Sequence, residues 1–273
     1  MPSILITGVS TGLGRACAAR FGRAGWRVIG TLRDAVAAEE IEGCEALESF
    51  DLARVGDGEA LAARVMERYG CPDVLLNNAG MVQFGSLEGL SHEALVRIFQ
   101  VNFFGQMELT RALLPAMRER GSGTIANVTS LGGRNTFPFF AGYNSTKWAL
   151  EGASEGLWHE LKPFGVRVKA IEPGFVQTAI WGKALPGQDG EMPPPAAYAP
   201  FQRAMIAFEA SIGDRTSPED AAEEVWRAVA DTSDRLRYPV AAYARPIVAA
   251  RRWLGDQAVM RFFHSRWMGP GSG

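Results

Sequence analysis

Short runs of aliphatic and β-branched residues alternate along the chain with longer stretches whose apolar residues recur every three or four positions. That rhythm predicts strands and helices in alternation. The strand-like runs are Ser3 to Thr7, Arg27 to Leu32, Ala46 to Phe50, Asp73 to Asn77, Thr124 to Thr129, Val166 to Ile171 and Leu236 to Ala241. Val74, Leu75 and Leu76 are apolar without a break, as expected of strands covered by helices on both faces, the condition of a parallel sheet. Helical periods occupy Gly12 to Ala24, Asp57 to Tyr69, Ser91 to Arg120, Gly142 to Lys162 and Pro218 to Asp231. Ser91 and Ser217 stand where a hydroxyl caps free amides, and Pro218 suits a first helical position. The pattern predicts an α/β fold, a Rossmann-type doubly wound parallel sheet of about seven strands flanked by helices.

The rhythm breaks between Phe175 and Gly213, where Pro186, Pro193, Pro194, Pro195 and Pro200 argue against any long regular element. Irregular stretches of this length are commonly functional, and residues about 179–213 are expected to form a substrate lid. A C-terminal extension, residues about 243–268, mixes Arg245, Arg251, Arg252, Arg261 and Arg266 with Trp253, Phe262, Phe263 and Trp267. Such a stretch either lies on a membrane surface or packs across the substrate mouth or a second subunit, and packing is the expectation for it. Residues 269–273 read as a flexible tail, which leaves one domain over residues 1–268. A single unit of this size is in keeping with α/β folds, which run to about 250 residues.

Composition narrows the function classes. A net charge of -2 offers no large positive field to attract nucleic acid. Three cysteines without C-x-x-C spacing, and His92, His159 and His264 at unrelated positions, suggest neither a disulfide framework nor a metal site. The N-terminal apolar run is too short for a signal peptide or a membrane span, so a soluble, cytoplasmic protein is expected.

The first strand leads into Thr7-Gly8-Val9-Ser10-Thr11-Gly12-Leu13-Gly14 and then a helix. Gly8 permits a sharp turn, Gly12 lets backbone approach a pyrophosphate, and Gly14 allows close helix–strand packing, while amides at the helix start attract the anion. An acidic residue at the end of the second strand would bind the ribose hydroxyls of NAD; Leu32 stands there instead, followed by Arg33, a cation suited to a 2′-phosphate. Ser10 and Thr11 can add hydroxyl donors. These residues favour NADP(H) over NAD(H). A solvated Arg33 with Asp34 on the ribose is the competing reading.

The Gly-x-x-x-Gly-x-Gly spacing after Thr7 resembles the short-chain dehydrogenase/reductase family, and family-like motifs continue in order to about Thr178. The resemblance implies that Asp51-Leu52 contacts the adenine, although Asp51 also suits a helix cap. It further implies that Asn78, Ala79 and Gly80 face the adenosine ribose, and that Pro173, Gly174, Val176 and Thr178 meet the nicotinamide carboxamide.

Tyr143 and Lys147, four residues apart, project from one helical face. A neighbouring ammonium favours the phenolate of a tyrosine whose ordinary pKa is about 10, so the pair is equipped for proton transfer. Ser130, at the end of the fifth strand, is placed to bond a substrate oxygen, with Thr129 as a second hydroxyl beside it. By resemblance, Asn102, Ser130, Tyr143 and Lys147 form a catalytic set, with Lys147 also on the nicotinamide ribose and Asn102 holding a water. A mid-helix asparagine can alternatively bond nearby backbone.

Segments after the fourth, fifth and sixth strands, Met81 to Phe84, Leu131 to Phe140 and Phe175 to Phe208, should line the substrate pocket. They are rich in Phe, Met and Ile and include Trp181, so they read either as a site for an apolar small molecule or as ordinary core. The implied activity is NADP(H)-dependent interconversion of a carbonyl and a secondary alcohol. A non-catalytic NADP(H)-binding sensor and an NAD-dependent alcohol dehydrogenase are the alternatives. The resemblance also implies a homodimer or homotetramer built on the two long helices.

Overall fold

Ser3–Thr7 (β1), Arg27–Leu32 (β2), Ala46–Ser49 (β3), Val74–Asn77 (β4), Gly123–Val128 (β5), Val166–Pro173 (β6) and Arg237–Val240 (β7) lie parallel in one sheet of order β3-β2-β1-β4-β5-β6-β7. The computed structural model describes residues 1–35, 40–180 and 195–268. Each strand falls within two residues of its expected ends. The unbroken apolar runs follow from burial on both faces. In β1, Ile4 and Ile6 point to one side and Leu5 to the other, and all three are fully buried. Ile4, Ile6, Leu76, Val28 and Val225 join a core beneath Gly12–Arg23 (α1) and Pro218–Ala230 (α7). Leu5, Ile29, Leu75, Leu109 and Leu113 join the opposite core, under Asp57–Tyr69 (α2), Gly105–Arg120 (α4) and Ala141–Leu161 (α5). The strand order reverses between β1 and β4, which opens a crevice beyond the strands' C-terminal ends.

Both expected serine caps form. Ser91 accepts from Ala94 N at 3.1 Å and Ser217 from Asp220 N at 3.0 Å. The long helix expected from Ser91 to Arg120 is not continuous. His92–Phe99 (α3) passes through a π-helical turn, Gln100–Phe104, into α4. Such wide turns recur at functional sites, and this one carries Asn102.

Two further expectations change. The proline-bearing stretch contains a helix of its own, Ala199–Ser211 (α6), preceded by a 3-10 turn at Ala196–Tyr198. Pro200 does not break α6 because it lies in the first turn, where no intrahelical N–H is needed. Trp181, Pro186, Pro193 and Pro194, the corresponding part of the expected lid, and the tail 269–273 lie outside the described residues.

The C-terminal extension divides at Gly255 (φ 79°) into Ala244–Leu254 (α8) and Asp256–Trp267 (α9). Val259, Phe263 and Trp267, spaced by one helical turn, bury one face of α9 against Phe84, Phe139, Phe140 and Met205. Packing over the pocket segments is thus what this face of the extension does, while Trp253, Leu254, Met260 and Phe262 remain exposed. Among the described residues no helix is long and apolar enough to cross a membrane, and no His, Cys, Asp or Glu cluster could hold a metal ion.

Candidate active site

The turn after β1 is locked by bonds within the chain. Gly8 adopts φ 74° and donates to Thr31 O at 2.9 Å, joining it to β2. Thr7 Oγ1 accepts from Asn78 N and Ala79 N, both at 2.9 Å, and Asn78 Nδ2 donates to Thr7 O at 2.9 Å and Gly8 O at 3.2 Å. Asn78 therefore acts as a clamp between the first and fourth strand ends. Gly14 is confined within this clamp, since a Cβ there would lie 2.1 Å from Gly8 O and 2.4 Å from Asn78 Nδ2. Across the turn, a Cβ on Gly12 would meet Thr178 Cγ2 at 3.2 Å. The loops after β1, β4 and β6 thus converge at the crevice.

The α1 start suits an anion. Thr11 holds the N-cap in extended backbone without a side-chain cap bond, and no acidic residue occupies the first turn. Ser10 and Thr11 are exposed, whereas the Leu13 side chain packs against the core and leaves only its backbone to the turn. Arg33 is exposed at the end of β2 and lines a hollow with Ser49, Asp51 and Arg54. Asp51 Oδ1 accepts from Ala53 N at 3.0 Å in a local turn and caps no helix, since α2 starts at Asp57 with Gly56 as its N-cap; Leu52 is buried in the core. On the opposite flank, Gly174 N donates to Val240 O at 2.9 Å, and a Cβ at Gly174 would lie 2.0 Å from Ala242 O. Pro173 and Gly174 line the cavity described below, and Val176 is buried.

Helix α5 begins beside the end of β5, which sets Tyr143 next to Ser130: both line one cavity, and a Cβ on Gly132 would meet Ser130 Oγ and the Tyr143 ring, each at 3.3 Å. Ser130 Oγ also accepts from Gly132 N at 2.9 Å, which fixes its rotamer. Thr129 is no competitor: its hydroxyl donates to Ile171 O at 2.8 Å. Burial pushes the Tyr143 phenol above its ordinary range, and the neighbouring Ser130 hydroxyl draws it partly back. Lys147 is also buried. Its Nζ donates to Val128 O at 2.9 Å and lies 6.0 Å from the Tyr143 ring centroid. Burial lowers Lys147 to about 8, opposed by the Glu151 charge. In this arrangement the Lys147 ammonium is directed at Val128 O, and burial is the main influence on the Tyr143 phenol.

Asn102 is fully buried. It accepts from Met81 N at 2.8 Å and donates to Met81 O at 2.8 Å and Thr146 Oγ1 at 3.1 Å. Its side chain ties the π turn to the loop after β4 and to α5, rather than bonding backbone of its own helix. A Cβ on Gly80 would lie 3.2 Å from Asn102 Oδ1 and 3.7 Å from Lys147 Nζ, so these three positions meet.

Ser130 and Tyr143 open onto a cavity with ≈ 60 Å³ available to the centres of water molecules. Phe84, Phe137, Phe140, Met205, Ile206 and Phe208 are among the apolar residues of its wall, and Glu209 is the charged residue among its lining. Phe139, at φ 66°, turns its ring onto Phe84 with centroids 5.8 Å apart. Above this wall, Phe263 stacks on Trp267, and the Trp267 ring meets Phe208 with centroids 4.8 Å apart. Glu209 and Ile212 were not anticipated. The spacing Phe201, Met205, Phe208, Ile212 carries a helical signal, but the flanking prolines outweighed it.

Comparison with known proteins agrees with this geometry. A family model described as short chain dehydrogenase matches residues 2–189. Retinol dehydrogenase 8 of Homo sapiens is 33% identical over 253 residues, covering 86% of this chain and 80% of that protein. A short-chain dehydrogenase from Sphingobium yanoikuyae in complex with NADPH superposes with TM-score 0.74 at 26% identity, covering 97% of this chain and 96% of that one. A short chain dehydrogenase/reductase from Burkholderia phymatum in complex with NAD gives TM-score 0.77 at 25% identity over 91% and 90% of the two chains. A glycine turn clamped to the switch point of a parallel sheet, a serine and a tyrosine side by side at one cavity wall with a lysine one turn on, and a family match over more than half the sequence lead to one conclusion: the chain belongs to the short-chain dehydrogenase/reductase family of oxidoreductases.

Proposed function

We propose that this chain uses NADP(H) to interconvert a carbonyl and a secondary alcohol on an apolar small molecule, with Tyr143 as the proton-transferring residue. The observation that carries the reading is the juxtaposition of Ser130 and Tyr143 at the wall of an apolar cavity, on the sheet edge where the glycine turn lies. The cofactor supplies the hydride when bound. Its pyrophosphate would be held by backbone of Gly8, Gly12, Leu13 and Gly14 with the hydroxyls of Ser10 and Thr11, at an α1 start that carries no carboxylate. Arg33 would pair with a 2′-phosphate, and the apolar Leu32 where an acidic residue would favour NAD supports NADP(H). Asp51, Leu52, Asn78, Ala79 and Gly80 would form the adenosine side. Pro173, Gly174, Val176 and Thr178 would form the nicotinamide side.

In the reductive direction the neutral phenol of Tyr143 donates its proton to the substrate oxygen, while the Ser130 hydroxyl bonds the same oxygen as charge develops on it. Lys147, with a pKa close to working pH, holds the proton next in line and would grip the nicotinamide ribose. Asn102 positions the loop at Met81 and helix α5 relative to each other. The aromatic wall selects an apolar substrate by burying its surface. A homo-oligomer through the α3–α4 stretch and α5 is supported by the exposed side chains of Val96 in α3, Phe104 in the π turn and Trp148 in α5.

The test is NADPH oxidation with a panel of apolar ketones and aldehydes, by the parent and Tyr143→Phe proteins. Loss of a positioned proton donor should lower kcat by about 100-fold or more. Equal turnover by the two proteins, or none by the parent despite NADPH binding, would refute the reading.

A further inference from the structure

A second charged cluster joins the segments that carry Ser130, Lys147 and the proposed nicotinamide-side residues Pro173 and Gly174. Arg134 follows Ser130 by four residues, Glu151 follows Lys147 by four, and Glu172 immediately precedes Pro173. Glu172 is 0% exposed and Glu151 4%. Arg134 Nη1 donates to Glu172 Oε1 at 3.1 Å, and Arg237 Nε donates to Glu151 Oε2 at 3.0 Å while lying 3.7 Å from Glu172 Oε1. The other side of the Arg237 guanidinium holds Glu155, at the exposed end of the cluster.

Two oxygens remain. Glu151 Oε1 and Glu172 Oε2 are buried and have no hydrogen-bond partner. An ionised carboxylate can only accept, so two of them gathered around Arg237 Nε leave these oxygens unsatisfied, and a single proton would turn one into a donor. Two guanidiniums facing three carboxylates also leave one negative charge to be neutralised.

We propose that Glu172 retains a proton in the folded protein and donates it to Glu151, and that this carboxyl–carboxylate pair is a positioning device that sets the β6 end, and with it Pro173 and Gly174, against α5 and Lys147. Burial first, and then the Glu151 charge, push Glu172 up to about 7, against the opposing pull of Arg134 and Arg237. These are the charged groups that face it from α5, from the turn after β5 and from β7; Lys147 faces Glu151. Glu172 and Glu151 are not proposed to touch substrate. Their link to catalysis rests on the roles assigned above to Ser130 and Lys147, but the shared proton stands or falls without them.

The experiment therefore reads the proton and not turnover. A folded-state pKa raised above the ordinary 4.5 adds stability that is complete below that value and is lost as pH rises through about 7. Thermal unfolding of the parent should show this loss across the window. Glu172→Gln, which mimics the protonated group, should lack that component and melt above the parent at alkaline pH. Infrared difference spectra near pH 6 should show a protonated-carboxyl C=O stretch in the parent that Glu172→Gln abolishes. A parent without that band, or a Glu172→Gln protein with an unchanged pH slope, would overturn the proposal. If the effect were merely structural, Glu172→Gln would be destabilised at every pH.

Discussion

Adding one methyl group at Gly14 should separate the two strand ends that the glycine turn holds together. The Cβ would stand 2.1 Å from Gly8 O and 2.4 Å from Asn78 Nδ2, whereas comfortable heavy-atom contact requires about 3.5 Å. Neither obstacle yields freely: Gly8 N is bonded to Thr31 O, and Asn78 Nδ2 is bonded to Thr7 O and Gly8 O. Because both neighbours are too close, relief means moving α1 outward by more than about 1 Å and also breaking the two Asn78 bonds. Overpacking of this kind costs about 1–3 kcal/mol, and each lost hydrogen bond about 0.5–1.5 kcal/mol, so Gly14→Ala should destabilise by about 2–6 kcal/mol.

Gly152 provides the control. It too is helical, but a Cβ there meets nothing within 4 Å, so Gly152→Ala should gain about 0.5–1 kcal/mol from helix propensity alone. Urea titration and calorimetric melts should place the two variants on opposite sides of the parent, with Gly14→Ala lower in Tm by at least about 4 °C. Calorimetric NADPH titration should show affinity weakened at least about tenfold in Gly14→Ala and unchanged in Gly152→Ala. A Gly14→Ala protein with parental stability and NADPH affinity would show that this close approach does not shape the turn.

Two other substitutions probe the ends of the site. Arg33→Asp replaces a cation with a carboxylate at the proposed 2′-phosphate position and should weaken NADPH binding by at least about tenfold while sparing NADH, read by parallel titrations; equal effects on both would remove Arg33 from phosphate recognition. Phe263→Ala removes a ring packed on Phe137 and Trp267, at centroid distances of 5.0 and 5.1 Å, and should cost about 3–5 kcal/mol and raise KM for apolar ketones with little change in NADPH affinity. Denaturation that matched the parent would mean that α9 is not integral to the pocket wall.

The parallel strands, the glycine turn and the Tyr143–Lys147 spacing were legible because each depends on residues close together in the chain. Side-chain alternation in β1 forces Ile4 and Ile6 away from Leu5, and a four-residue step in a helix keeps a phenol and an ammonium on one side, whatever the rest of the molecule does. The π turn at Asn102 was hidden inside an uninterrupted helical period, since the bonds that accompany it come from Met81 and Thr146. Helix α6 was obscured by prolines that become harmless once one of them lies in a first turn.

Only packing decided where the functional groups point. Val128 O, not the Tyr143 hydroxyl, receives the Lys147 ammonium, and the loss of water around the phenol raises its pKa where sequence spacing argued for lowering it. The partnership of Glu151 with Glu172, and the closure of the cavity by Phe208, Phe263 and Trp267, join residues far apart in the chain. Local preferences act over one or two turns of backbone. Solvation and charge, by contrast, depend on which surfaces meet in space, and that is settled only when the helices close on the sheet.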